Sequence, residues 1–150
     1  SMALRDNLEG GESYYIVESK SLQRILREAE KEEPLLCIVD EVLRGTNTIE
    51  RIAASSRILQ SLVVPHVLPL AATHDIELSY ILEKSYQNYH FEEEMKEKDV
   101  CFNYLLKPGR AVSRNAIKLL EIIGYQKQII DDAMQAAKDF EQTGEWKKLC

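Results

Sequence analysis

The chain has 150 residues, enough for one domain with a core of its own. Apolar residues make up 45% and charged residues 29%, the proportions of an ordinary soluble globular protein. Acidic residues exceed basic ones by 25 to 19, a formal charge of −6 that argues against this segment being a nucleic-acid surface by itself, because phosphate binding needs clustered Lys and Arg. Cys37, Cys101 and Cys150 are an odd, widely spaced set that fits neither a disulfide framework nor a CxxC metal pattern, so reduced thiols in a cytoplasmic protein are expected. No apolar run has the length of a membrane span, no signal-peptide pattern is present, and no membrane partner is expected.

The opening residues to Glu12 are polar, carry Gly10-Gly11 and read as a loop. The spacing of Leu22, Ile25, Leu26 and Ala29 predicts a helix over about 14–30, with Ser13 as a good N-cap and Glu32-Glu33-Pro34 as its stop. Leu35 to Val39 is an unalternating apolar run, as expected for a strand covered on both faces. Asn47 and Glu50 form a capping-box pattern for a second helix, whose apolar side is Ile49, Ile52, Ala53, Leu59 and Leu62; Pro65 ends it. Val67 to Ala72 reads as a second buried strand in which Pro69 is an awkward resident. Strand, helix, strand at this spacing is a parallel βαβ unit, right-handed by default.

A short helix is expected through Ile76 and Leu82. Tyr86 to Glu92 and Val100 to Leu106 then alternate as a hairpin across a charged loop, Glu93 to Asp99, with the acidic run Glu92 to Glu94 solvated. Pro108-Gly109 marks a turn, and two helices close the chain. Ser113 is the cap candidate for the first and Gly124 its end; Ile129, Ile130, Ala133, Ala137 and Phe140 pattern the second. Tyr86, Tyr89, Phe91, Phe102 and Tyr104 invite comparison with a base-stacking platform, but without a basic groove hairpin packing is the stronger reading.

Ligands of open α/β sheets bind beyond the carboxyl ends of parallel strands. Asp40 and Glu41 end one such strand and His74 ends its neighbour, so the three side chains are placed to converge. Phosphoryl transfer needs a metal ligand, a group that orients water and a donor near the γ-phosphate, roles that suit Asp40, Glu41 and His74 in that order. Taken alone, an Asp-Glu pair after a strand is more often a strand-end turn, and a lone histidine there is usually structural. Ser13 is explained by capping alone, Arg44 by a surface ion pair and Gly45 by backbone geometry. No G-x-x-x-x-G-K-[ST] phosphate cradle occurs in the chain.

The order Ser13-Tyr14-Tyr15-Ile16-Val17-Glu18, then Asp40-Glu41, then Arg44-Gly45-Thr46-Asn47-Thr48, then Ala72-Thr73-His74-Asp75-Ile76-Glu77-Leu78 resembles the MutS family of DNA mismatch-repair ATPases. The family pattern reads S-x-F-M-x-E, D-E-x-x-R-G-T-S-T and A-T-H-x-x-E-L. Several motifs in one order and spacing are specific where any one alone is weak, and a weaker similarity continues through Lys107-Pro108-Gly109 and the closing helices. The chain departs from the pattern at Tyr15, Ile16, Asn47 and Ile49-Glu50-Arg51, and Leu43 stands where a Gly is common.

The resemblance implies an α/β fragment of a P-loop, ABC-like fold: a parallel βαβ core with a hairpin and C-terminal helices. Residues 1–106 would be the later portion of the ATPase domain and 107–150 its helical dimerisation or packing segment. It implies ATP and Mg²⁺ as cofactors, with Asp40 at the metal through water, Glu41 polarising the attacking water and His74 sensing the γ-phosphate. Ser13 would reach a nucleotide on a second MutS-type subunit of a homodimer, and Arg44, Gly45, Thr46 and Asn47 would form the loop at that interface. Mismatched or structured DNA would be bound by regions outside this chain, and the segment alone is expected to be inactive. The competing class is a non-catalytic dimerisation module with remnant motifs. A hydrolase built on Asp40 and His74 comes third, since no nucleophile elbow accompanies them.

Overall fold

Leu35–Asp40 (β1) and Val67–Ala72 (β2) pair in parallel, joined by the helix Thr48–Ser61 (α2). The register runs from Leu35↔Val67 to Asp40↔Ala72, and the Glu41 amide continues it by donating to the Ala72 carbonyl at 2.9 Å. The preceding helix, Tyr14–Ala29 (α1), starts at Ser13, although the Ser13 side chain makes no capping hydrogen bond. A short helix, Ile76–Ile81 (α3), follows β2. The structure is a computed structural model and describes residues 13–96, 99–111 and 115–148. The expected opening loop and the Ser113 cap lie outside the described residues.

Residues up to Asn88 form one compact unit and those from Tyr89 a second. The core of the first unit gathers Leu22 and Ala29 from α1, Cys37 and Val39 from β1, Leu59 from α2, Leu78 from α3, and Leu62 and Leu82 just past their helices. Val42 and Leu43, in the loop after β1, are as buried as Leu22, Val39 and Leu78. The hydroxyl of Tyr86 donates to the Leu59 carbonyl at 2.8 Å, so Tyr86 belongs to this core and not to a strand.

The sheet is not covered on both faces. Cys37, Val39 and Val67 point into the core, while Leu36, Ile38, Leu68 and Leu70 on the opposite face are each more than half exposed. The apolar run in β1 is therefore a strand with one covered face and one bare face. β2 is mostly exposed rather than buried, and among the described residues it pairs only with β1. Backbone groups alternate along a strand, and His66 and Ala72 present their carbonyls to β1. Pro69 therefore directs its missing donor to the free edge, where proline is tolerated. On α2, Ile52, Leu59 and the serines Ser55 and Ser56 face inward, whereas Ile49 and Ala53 are exposed.

In the second unit, Tyr89–Lys96 (β3) and Asp99–Pro108 (β4) form an antiparallel hairpin. The strands reach further than their alternation predicted, because the ladder continues through Glu93↔Phe102 to Lys96↔Asp99. The acidic run is thus part of a strand and not a loop; backbone pairing is indifferent to charge when side chains can reach water. A bulge lies opposite Glu92, with Tyr104 at φ 53°. Tyr89, Phe91 and Tyr104 are exposed, so hairpin packing does not account for them. The helices Ala116–Ile123 (α4) and Lys127–Thr143 (α5) close the chain, and Gly124 ends α4 in the left-handed conformation at φ 95°. Ile130 is the buried anchor of α5, while Ile129 is half exposed, and Phe140 stacks on Trp146 with ring centroids 4.2 Å apart. No described helix is long and apolar enough to cross a membrane.

The bare face predicts reversible self-association of the chain, because contiguous apolar surface of this kind is rarely left uncovered. Light scattering over a concentration series is expected to show rising mass, reduced by Ile38→Lys with Leu70→Lys. A constant monomer mass at high concentration would count against it.

Candidate functional site

The parallel register brings the ends of β1 and β2 side by side, and three predicted residues meet there. Glu41 Oε1 lies 2.9 Å from His74 Nε2, and its Oε2 accepts from Arg44 Nε. The glutamate is largely covered, while the histidine ring is 91% exposed and forms an open rim. Asp40 precedes Glu41 as the last, exposed residue of β1. Residues Glu41, Arg44, Arg51, Thr73, His74 and Asp75 line a shallow cleft of about 80 Å³. That space takes a few water-sized groups, whereas a small-molecule pocket is larger, roughly 300–1,000 Å³.

The hydrogen bond from Arg44 holds the Glu41 carboxyl below the ordinary glutamate range. Burial opposes this, the charges of His74 and Arg44 reinforce it, and Asp75 works against it. Glu41 is therefore a firmly anionic acceptor and a weak base. It is suited to orienting a water through its lone pairs more than to taking a proton.

The two loops carrying these side chains are held separately. Arg51 on α2 grips Asp75 in bidentate fashion, Nε to Oδ2 at 2.7 Å and Nη2 to Oδ1 at 2.5 Å, which fixes the segment containing His74. The 41–46 loop is tucked down by the burial of Val42 and Leu43. Within it Glu41 and Leu43 take left-handed backbone conformations, φ 51° and 58°. Leu43 thus adopts the geometry a glycine would take without strain, at the position where the MutS pattern commonly has one.

Gly45 has a different reason. A Cβ there would come within 2.9 Å of the Tyr15 Cβ on α1, so the glycine permits close approach of helix and loop. Asn47 caps α2 as expected, its Oδ1 accepting from the Glu50 amide at 3.0 Å. The return half of the box differs: the Glu50 carboxylate is reached by the side chains of Asn47 at 2.5 Å and Thr46 at 3.0 Å instead of the N-cap amide. Ser13 is exposed at the start of α1. Among the described residues no hydrogen bond or ion pair joins Ser13, Thr46 or Asn47 to the Glu41 cluster. The roles of Arg51 and of Glu18, whose Oε1 accepts the Leu43 amide at 2.6 Å, have no signal in the sequence. Their partners lie 24 and 25 residues away, a separation at which no periodic signal exists.

An acidic pair and a histidine thus stand at the ends of adjacent parallel strands of an α/β unit. A family model described as MutS domain V matches residues 2–141. The chain belongs to the MutS family. It is 29% identical over 128 residues to the DNA mismatch repair protein MutS of Thermus thermophilus, covering 85% of this chain and 16% of that protein. It is 33% identical over 139 residues to the MutS of Aquifex pyrophilus, 91% of this chain and 16% of that protein. Against the MutS of Borrelia garinii it is 33% identical over 129 residues, 85% of this chain and 15% of that protein. The chain thus spans less than one fifth of the length of these curated relatives.

Linkage makes the ion pair visible in pH. A carboxyl whose folded pKa is depressed contributes stability that is present above its unfolded value and lost as pH falls through the folded one. The Glu41 side-chain carboxyl, followed by ¹³C NMR, is expected to titrate below 4.5 and to move up toward that value in Arg44→Ala. The same variant should narrow the stability difference between neutral and acid pH; an unchanged Glu41 midpoint would show that the pair does not form in solution.

Proposed function

We propose that this chain is the later part of a MutS-type ATPase domain of P-loop, ABC-like fold, and that it supplies the carboxylates and the histidine that complete a nucleotide site. The observation that carries this reading is the contact between Glu41 and His74 at the ends of paired parallel strands, in a chain of the MutS family. In the intact protein the reaction is hydrolysis of ATP to ADP and phosphate, coupled to binding of mismatched or structured DNA by regions outside these residues. The relatives named for DNA mismatch repair support the DNA side of that reading.

The donor set fits a Mg²⁺–nucleotide. Mg²⁺ keeps several waters and takes one or two carboxylates plus substrate phosphates, and Asp40 offers one exposed carboxylate where the strand ends. Bound there, the metal would neutralise charge on the phosphates. Glu41, kept anionic by Arg44, orients the attacking water, and His74 on the rim donates toward the γ-phosphate. Ser13 at the start of α1 addresses the nucleotide of a second MutS-type subunit in a cytoplasmic homodimer. Arg44, Gly45, Thr46 and Asn47 line the subunit interface, and residues 107–150 serve in dimerisation or packing.

The G-x-x-x-x-G-K-[ST] phosphate cradle is not encoded in these 150 residues, and the cleft at Glu41 has a volume of about 80 Å³. The chain by itself is half a site. A second reading, an interaction module with remnant motifs, draws on the bare apolar sheet face. A Walker A motif in the parent gene decides for the ATPase, and its absence decides for the module.

The purified chain is expected to show no appreciable ATP hydrolysis. In the parent protein Glu41→Gln should lower kcat by about 10²- to 10⁴-fold while nucleotide binding is retained. Robust hydrolysis by the chain alone, lost on Glu41→Gln, would overturn the half-site reading. Full activity of the parent variant would overturn the role of Glu41.

A further inference from the structure

Glu18 is a buried carboxylate without an obvious reason to be buried. It lies in the second turn of α1, 7% exposed, and its Oε1 accepts the Leu43 amide at 2.6 Å. Its Oε2 has no hydrogen-bond partner among the described residues. Burial pushes its pKa up, against the backbone amides of Leu43 and Arg44 and the Arg44 charge. Such a group costs stability unless its position does something for the fold or the site.

The Leu43 amide belongs to the same peptide plane as the Val42 carbonyl, and that carbonyl accepts from the hydroxyl of Ser55, a fully buried residue of α2, at 3.3 Å. One peptide unit is thus gripped on both sides, by α1 through its N–H and by α2 through its C=O. This plane sets φ of Leu43, which is left-handed at 58°, and it follows Glu41, left-handed at 51°. Turning the plane over would carry Leu43 toward the ordinary negative-φ region and relieve its strain. It would also break both hydrogen bonds and leave a carboxylate and a hydroxyl buried without partners. A charge-assisted hydrogen bond is of the size needed to offset one strained residue. The close approach of Gly45 to Tyr15 shows that α1 and this loop are also in direct contact beyond the strained turn.

We infer that Glu18 is a positioning residue: together with Ser55 it clamps the Val42–Leu43 peptide in its strained orientation and so fixes where Glu41 stands relative to Arg44 and His74. The relevance to catalysis rests on the proposed role of Glu41.

The test uses the 150-residue chain and needs no nucleotide, so its outcome is independent of whether ATP is the ligand. Amide hydrogen exchange and the nuclear Overhauser contacts between the Glu41 side chain and the His74 ring are compared in the wild type, Glu18→Gln, Glu18→Ala and Ser55→Ala. Glu18→Ala is expected to speed exchange of the Leu43 amide about ten- to a hundredfold. Glu18→Gln, nearly isosteric and the safeguard if the alanine variant unfolds, should have a smaller effect of the same sign. Ser55→Ala should act on the same amide. In each variant the Glu41–His74 contacts are expected to weaken as the carboxylate leaves its place. A purely structural role would lower the unfolding temperature and speed exchange across α1 while leaving the Glu41–His74 contacts in place, and that result overturns the inference. So does an unchanged Leu43 amide. Failure of the ATPase reading would appear elsewhere, as a parent protein indifferent to Glu41→Gln.

Discussion

The parallel pairing of β1 with β2 is the constraint on which the site depends. Six residue pairs in register, extended by the bond from the Glu41 amide to the Ala72 carbonyl, bring two chain segments that are 33 residues apart at Glu41 and His74 to hydrogen-bonding distance. A parallel pair cannot be closed by a tight turn, so α2 must cross over between the strands. That crossover supplies the other two supports: Ser55 beneath the first loop and Arg51 against the second. The element needed for topology is also the one that stiffens the site.

The charged side chains that line the cleft are paired: Glu41 faces Arg44 and His74, and Asp75 faces Arg51, with His74 and Arg44 open to water and the Arg51–Asp75 pair partly shielded. Exposed pairs of this kind contribute about 0–1 kcal/mol each, too little to hold a fold. Their value is geometric: a bidentate guanidinium fixes direction as well as distance. The folding free energy comes instead from the apolar cluster between one sheet face and the helices. The loop after β1 joins that cluster by burying Val42 and Leu43. In the same loop Glu41 and Leu43 hold left-handed backbone without being glycine, so the loop stores strain next to the group proposed to orient water.

The bare face of Leu36, Ile38, Leu68 and Leu70 is the counterpart of that economy. A sheet whose strands are apolar on both sides is built for two layers, and one layer is present among the described residues. The curated relatives are more than five times the length of this chain.

Much of this was legible in the amino-acid order because it is local. The helix over 14–29, the Asn47 cap, the strand at Leu35–Asp40, the end of α4 at Gly124 and the short α3 follow from side-chain period, cap chemistry and breakers acting within about four residues. The convergence of Glu41 and His74 was legible because strand, helix, strand admits few topologies. The hairpin ends, the exposed side of α2 at Ile49 and Ala53, and the open face of the sheet were not. Each depends on what packs against the element, and an apolar residue reads the same whether its partner is present or missing. The sequence by itself determined the inventory of chemistry and the family. Only the tertiary structure decided that Glu18 grips the Leu43 amide, that Arg51 grips Asp75 and that Gly45 yields to Tyr15. Those contacts join residues some 24 to 30 positions apart, whose proximity is produced by packing and by no property of the intervening chain.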